Sequence, residues 1–122
     1  MEFRNGKSIF LQIADSITDK VVNGEYAAGE KIPSVRELAA QMGVNPNTIM
    51  RTYSELQSME IIENRRGIGY FVNAEAQPVI LAAKRKEFFD DLVPEFVEKA
   101  QLLGIEYPEI ESHLAKTFKS TK

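Results

Sequence analysis

Apolar positions recur along this chain with a helical period, interrupted once by two short β-prone runs. Phe10, Ile13, Ala14, Ile17 and Val21 predict a helix over residues 8–23, closed by Asn23-Gly24. Leu38, Ala39 and Met42 give a second, shorter helix an apolar face. Ser34 caps its start, Glu37 completes a capping box, and Gly43 ends it in the left-handed conformation. Asn45 caps a third helix, over residues 46–59, with Pro46 at the first helical position, where its missing N–H costs nothing. Val44 and Ile49 form a hydrophobic staple across that cap. A short helix, a four-residue turn and a capped helix follow the grammar of a helix-turn-helix.

The third helix divides by face. Ile49, Tyr53 and Leu56 fall at i, i+4 and i+7 and point inward. Opposite lie Asn47, Arg51, Ser54 and Ser58, with Thr48, Met50 and Glu55 on the flanks. A helix that needed only solubility would usually carry Glu and Lys there. Small polar groups and one arginine instead suit close approach to a groove, where amide and guanidinium groups read base edges. An ordinary helical hairpin with a mixed solvent face would also fit these two helices alone. The next residues favour the first reading. Ile61-Ile62-Glu63-Asn64 and Ile68-Gly69-Tyr70-Phe71-Val72 flank a basic Arg65-Arg66-Gly67 turn, the pattern of a β-hairpin. A hairpin directly after a helix-turn-helix is a wing, and Lys31-Ile32 predict a short strand beside it.

Three groups of residues in register now carry a resemblance. They are Gly24-x-Tyr26-x-x-Gly29-Glu30-Lys31-Ile32-Pro33-Ser34-Val35-Arg36-Glu37-Leu38-Ala39, then Gly43-Val44-Asn45-Pro46-Asn47-Thr48, then Gly67-x-Gly69-Tyr70-Phe71-Val72. From about Ser8 to Val72 the chain resembles the GntR family of bacterial winged-helix transcription regulators. The resemblance implies that Arg36 contacts phosphate, that Asn47 and Thr48 approach the groove, and that the tip at Arg66-Gly67 touches the minor groove. Many members carry arginine where this chain has Pro46 and Met50; Arg51, one position along, is placed to take over.

Beyond the wing, AEAQP marks a boundary, dividing a DNA-binding domain over residues 1–77 from a helical region over 78–122. Ala82, Phe89, Phe96 and Leu103 recur every seven residues, with Val93 and Ala100 between and Lys86 breaking that second row. Pro94 predicts a kink or break, since it cannot donate to the carbonyl of Asp90. Gly104 ends this helix, Pro108 opens another, and Ile110, Leu114 and Phe118 form its apolar face. So short a hairpin cannot bury this much apolar surface by itself. It reads as a dimerisation element, the alternative being a satellite packed on its own winged domain. Glu98 to Ile105 also resembles the two-helix C-terminus of the YtrA-like GntR subfamily, which lacks a large effector domain.

Composition bounds the chemistry. The chain has 122 residues, 43% hydrophobic and 27% charged, and no cysteine, which excludes disulfides, thiol nucleophiles and cysteine metal sites and suits the cytoplasm. Residues 1–7 read as a polar leader without a signal peptide, and no apolar run is long enough for a membrane span. His113 has no metal-ligand spacing around it, and Asp90-Asp91 reads as a solvated face, so neither catalysis nor a cofactor is expected. The net charge is -3, with 8 basic against 10 acidic residues through residue 77 and 7 against 8 beyond. Any basic surface is therefore local, which predicts modest, salt-sensitive affinity per domain and a need for two domains at once.

The expected fold is mainly α with a small β-hairpin (α+β), a winged helix-turn-helix followed by a C-terminal helical hairpin. The expected function is a repressor that binds a palindromic double-stranded DNA operator as a homodimer. The rival is a winged helix used as a protein–protein interaction module. DNA contacts fall to Ser34, Arg36, Asn45, Asn47, Thr48, Arg51, Ser54, Arg65, Arg66, Gly67 and Gly69. Dimer contacts fall to Phe89, Val93, Phe96, Ala100 and Leu103.

Overall fold

The computed structural model describes residues 8–120; the polar leader of residues 1–7 lies outside them. Helix α1 (Ile9–Val22) is followed by α2 (Val35–Met42), α3 (Pro46–Ser58) and an antiparallel hairpin of β1 (Ile62–Arg65) and β2 (Gly69–Val72). Helix α4 (Ala76–Glu87), a π turn (Phe88–Leu92), α5 (Val93–Leu102) and α6 (Tyr107–Ser120) complete the order. The chain forms two compact units, one ending at Ala83 and one beginning at Lys84.

The core of the first unit is the sum of the predicted apolar faces. Ile13, Ile17 and Val21 of α1 meet Leu38 and Ala39 of α2, Ile49, Tyr53 and Leu56 of α3, and Ile61, Ile62 and Val72 of the hairpin. The hairpin pairs Ile62 with Val72 and Arg65 with Gly69. The predicted third strand is a single bridge from Lys31 to Phe71, flanked by Ile32 N–H donating to the Tyr70 carbonyl (2.9 Å) and Val72 N–H to that of Glu30 (2.9 Å). These bonds tie the wing's base to the loop that leads into α2.

Between α3 and β1 the chain turns through Glu60, whose φ of 61° is left-handed without being glycine. Ile61 N–H donates to Leu56 and Glu60 N–H to Gln57, the two bonds of a Schellman ending. The Asn73 side-chain amide donates to the Glu60 carbonyl at 2.6 Å and holds the turn from the far side of the wing.

The division between the units falls later than the AEAQP break. Ala76 and Ile80 are buried in the first core, and the Gln77 side chain donates to the Val22 carbonyl at 3.1 Å. The start of α4 therefore belongs with the winged unit. Pro78 sits in its first turn, where proline is tolerated.

In the second unit Pro94 does not end the helix. The backbone widens into the π turn just ahead of it, with Val93 N–H reaching back to the Phe88 carbonyl, and the ring fits at the start of α5. Within the second unit, the extra residue in that turn offsets the row of side chains ahead of it by roughly 100° from the row along α5. Phe89 and Phe96 therefore do not share one straight seam, contrary to the seven-residue stripe. Gly104, at φ 72°, closes α5, and Ile105 N–H caps back to Ala100 at 2.9 Å. Ala100 is only 7% exposed, which leaves it little surface for the dimer contact assigned to it. Phe89, Phe96 and Leu103 remain exposed and Val93 half-buried, and Phe88 and Leu92 join them.

Candidate nucleic-acid interface

Local hydrogen bonds set the helix-turn-helix. Ser34 Oγ accepts from Glu37 N–H at 3.1 Å, while Ser34 N–H donates to the Glu37 carboxylate at 2.9 Å. The bond from Ser34 N–H, and after it the Ser34 hydroxyl, hold the Glu37 carboxyl below the usual glutamate range. Gly43 takes the left-handed ending of α2 at φ 67°. Asn45 Oδ1 accepts from Asn47 N–H at 2.8 Å and starts α3, with Pro46 in the first turn.

The faces of α3 separate as the spacing predicts. Ile49, Tyr53 and Leu56 are buried, whereas Asn47, Arg51, Ser54 and Ser58 are exposed. Thr52 is buried too, completing the i, i+3, i+4, i+7 arc that its polar side chain disguised in the sequence. Its hydroxyl lies 2.9 Å from the Thr48 carbonyl and 3.0 Å from that of Phe10. Ser58 turns its hydroxyl back onto the Glu55 carbonyl at 2.7 Å. The Tyr53 hydroxyl donates to the Pro33 carbonyl at 2.6 Å, and its ring meets Tyr70 edge-on at 4.7 Å. One side chain thus fixes α3 against both the entry to α2 and the wing.

Phe10 departs from its predicted place on the inward face of α1. It is only half-buried, and the Arg51 guanidinium stacks over its ring at 4.0 Å from the centroid. Ser8, Ile9 and Phe10 line an open cleft of about 340 Å³ with Asn47, Thr48 and Arg51. The structure therefore brings these last three together at the N-terminal end of α3. Ser34 and Arg36 are exposed at the start of α2.

The wing separates its two arginines. Arg65 Nε donates to Glu63 Oε1 at 2.7 Å, and its guanidinium lies 4.1 Å from the Phe71 ring centre. Arg65 is drawn back along its own hairpin, while Arg66 is exposed at the tip beside Gly67, which takes φ 79°. Gly69 has a packing reason of its own, because a Cβ there would lie 2.8 Å from Cε of Lys31. Among the described residues no carboxylate pairs with Arg36, Arg51 or Arg66. No group of three or more acidic or histidine side chains among them could hold a metal ion.

Residues 10–72, which span α2, α3 and the wing, match the family described as bacterial regulatory proteins, gntR family. The chain belongs to the GntR family. It is 42% identical over 104 residues to the HTH-type transcriptional regulator YhcF of Bacillus subtilis strain 168, covering 85% of this chain and 84% of the relative. It is 32% identical over 103 residues to the HTH-type transcriptional repressor YtrA of the same organism, covering 84% and 78%. A crystal structure of a GntR-family transcriptional regulator from Bacteroides thetaiotaomicron is similar at a TM-score of 0.78 and 40% identity, covering 94% of this chain and 100% of that one. As a GntR-family member this chain is a DNA-binding transcriptional regulator and not an enzyme. The protein-interaction reading of the winged helix gives way to it. Among the described residues, no helix is long and apolar enough to cross a membrane.

Proposed function

We propose that this GntR-family regulator is a cytoplasmic repressor that binds an inverted-repeat operator as a homodimer. Helix α3 enters the major groove and the Arg66-Gly67 tip lies against the minor groove. The observation that carries this reading is the exposed side of α3, where Asn47, Arg51 and Ser54 stand clear of any acidic partner among the described residues. Arg36 supplies a phosphate contact from α2, and Ser34 and Asn45 bring the capped helix starts toward the backbone. The similarity to YtrA, a transcriptional repressor by name, supports the sign of the regulation.

Surface chemistry supports two-fold pairing. Phe89, Phe96 and Leu103 of the second unit are 59%, 47% and 73% exposed, more apolar surface than a small unit usually leaves in water. A paired copy covers it and presents two copies of α3 to half-sites about 34–36 Å apart, or a multiple of that. Linking the second contact to the first raises avidity by roughly 10²–10⁴. A chain of net charge -3 with few cations on this face needs that gain.

Sedimentation tests the pairing. Wild type should run at twice the chain mass of 13.8 kDa, and Phe89→Glu with Phe96→Glu at the chain mass itself, still folded. The double variant should bind a palindrome no better than a half-site. A monomeric wild type, or a double variant that stays paired, contradicts the proposal.

A further inference from the structure

The stack between Phe10 and Arg51 joins the start of α1 to the exposed side of α3, and a helix-turn-helix does not require it. The guanidinium carbon lies 4.0 Å from the ring centre. The next residue of α3, Thr52, places its hydroxyl 3.0 Å from the Phe10 carbonyl. Adjacent α3 residues thus grip both the ring and the backbone of Phe10. The ring itself is not part of the buried core; it lines an open cleft with Asn47 and Thr48.

The geometry matters for what Arg51 can do. Stacking occupies only the flat face of a guanidinium and leaves its five in-plane N–H donors free. An ion pair with a carboxylate would instead use the same donors that a guanine edge requires. The ring therefore limits the directions open to Arg51 without consuming its hydrogen bonds, so less side-chain freedom is lost on binding.

We propose that Phe10 is a positioning residue for base recognition: its ring holds Arg51 in its reading orientation, so the first turn of α1 helps set the base preference of α3. This rests on the DNA-reading role proposed above for α3.

The test uses the full chain, a duplex that wild type enriches from a random pool, and that duplex with each base pair changed singly. Phe10→Leu keeps an apolar side chain and the backbone carbonyl that Thr52 meets. It should weaken binding to the enriched duplex roughly three- to fivefold. It should also relax discrimination at the base pair that Arg51→Ala relaxes, with affinity for unrelated duplex changed less than about twofold. Phe10→Tyr should restore the wild-type profile. Phe10→Leu added to Arg51→Ala should weaken binding no further. Arg51→Lys retains the charge but not the planar stack and leaves α1 untouched, so it should relax the same base pair. The proposal is overturned if Phe10→Leu keeps the wild-type base profile, weakens all duplexes equally, or adds its full effect to that of Arg51→Ala. If wild type enriches no duplex, the DNA-reading role fails first, and the wild-type arm alone reports that.

Discussion

Replacing Tyr53 by phenylalanine removes one oxygen from the side chain that ties α3 to the rest of the winged unit. The ring stays, so its edge contact with Tyr70 and its burial are kept. The loss is the 2.6 Å bond to the Pro33 carbonyl, which is left without that donor. A part-buried bond of this kind is worth about 1–2 kcal/mol. Near neutral pH that corresponds to a melting temperature lower by roughly 4–8 °C per kcal/mol for a unit of this size. Burial pushes the Tyr53 hydroxyl well above the usual tyrosine range, with smaller contributions from Tyr26, Tyr70 and Glu37. A folded-state pKa raised in this way contributes stability that is complete below the unfolded pKa, about 10, and declines as pH rises beyond it. The decline is about 1.4 kcal/mol per pH unit for one proton, and Tyr53→Phe lacks it. The advantage of wild type should therefore vanish within about one to two units above pH 10. Urea midpoints of both proteins between pH 7 and 11.5 measure this directly (the range being set by roughly where tyrosine titrates). Equal stability at pH 7, or a gap that stays constant through the alkaline range, refutes the reasoning.

Glu60→Gly removes a left-handed strain of about 1–2 kcal/mol and adds unfolded-state freedom of about 0.4–1 kcal/mol, so thermal melts should show a net gain near 0.5–1 kcal/mol. Lower stability would mean that the Glu60 side chain contributes more than its backbone costs. The two wing arginines should behave differently: Arg66→Ala weakens DNA binding at unchanged melting temperature, whereas Arg65→Ala mainly loosens the hairpin. Anisotropy titrations and melts on both variants decide it, and a larger affinity loss for Arg65→Ala reverses the assignment. Arg36→Ala should weaken selected and random duplexes alike and flatten the salt slope by about one unit, whereas a loss confined to the selected duplex would make Arg36 a base reader.

The helix-turn-helix was legible because its grammar is local. The Ser34–Glu37 box, the Gly43 ending and the Asn45-Pro46 start each lie within a few residues and need no tertiary partner. The wing was legible as a hairpin, but the division of labour between its arginines was not. Glu63 and Arg65 share a strand face by simple alternation, yet Phe71 joins them only through the register that sets it opposite Glu63. Phe10 and Arg51 lie far apart in sequence, and Phe10 fits the apolar period of α1 so well that only packing reveals its other use.

The tail was legible as a hairpin and misleading in detail. Ala76 lies inside a proline-bearing stretch that looks like a linker and Ile80 just beyond it, although both complete the first core. The seven-residue recurrence of Phe89 and Phe96 holds one face only along a regular α-helix; Pro94 signalled an interruption, but not that it would take the form of a π turn between the two. Ala100, in the row between, is buried instead.

The central claim is that α3 reads duplex DNA from a two-fold protein. Enrichment of bound sequences from a random duplex pool by purified wild-type protein tests it most directly. The account predicts an inverted repeat whose half-sites lie about one helical turn apart, or a multiple of it, with one base pair per half-site losing its preference in Arg51→Ala. An unenriched pool, a motif without two-fold symmetry, or an Arg51→Ala profile identical to wild type would contradict it.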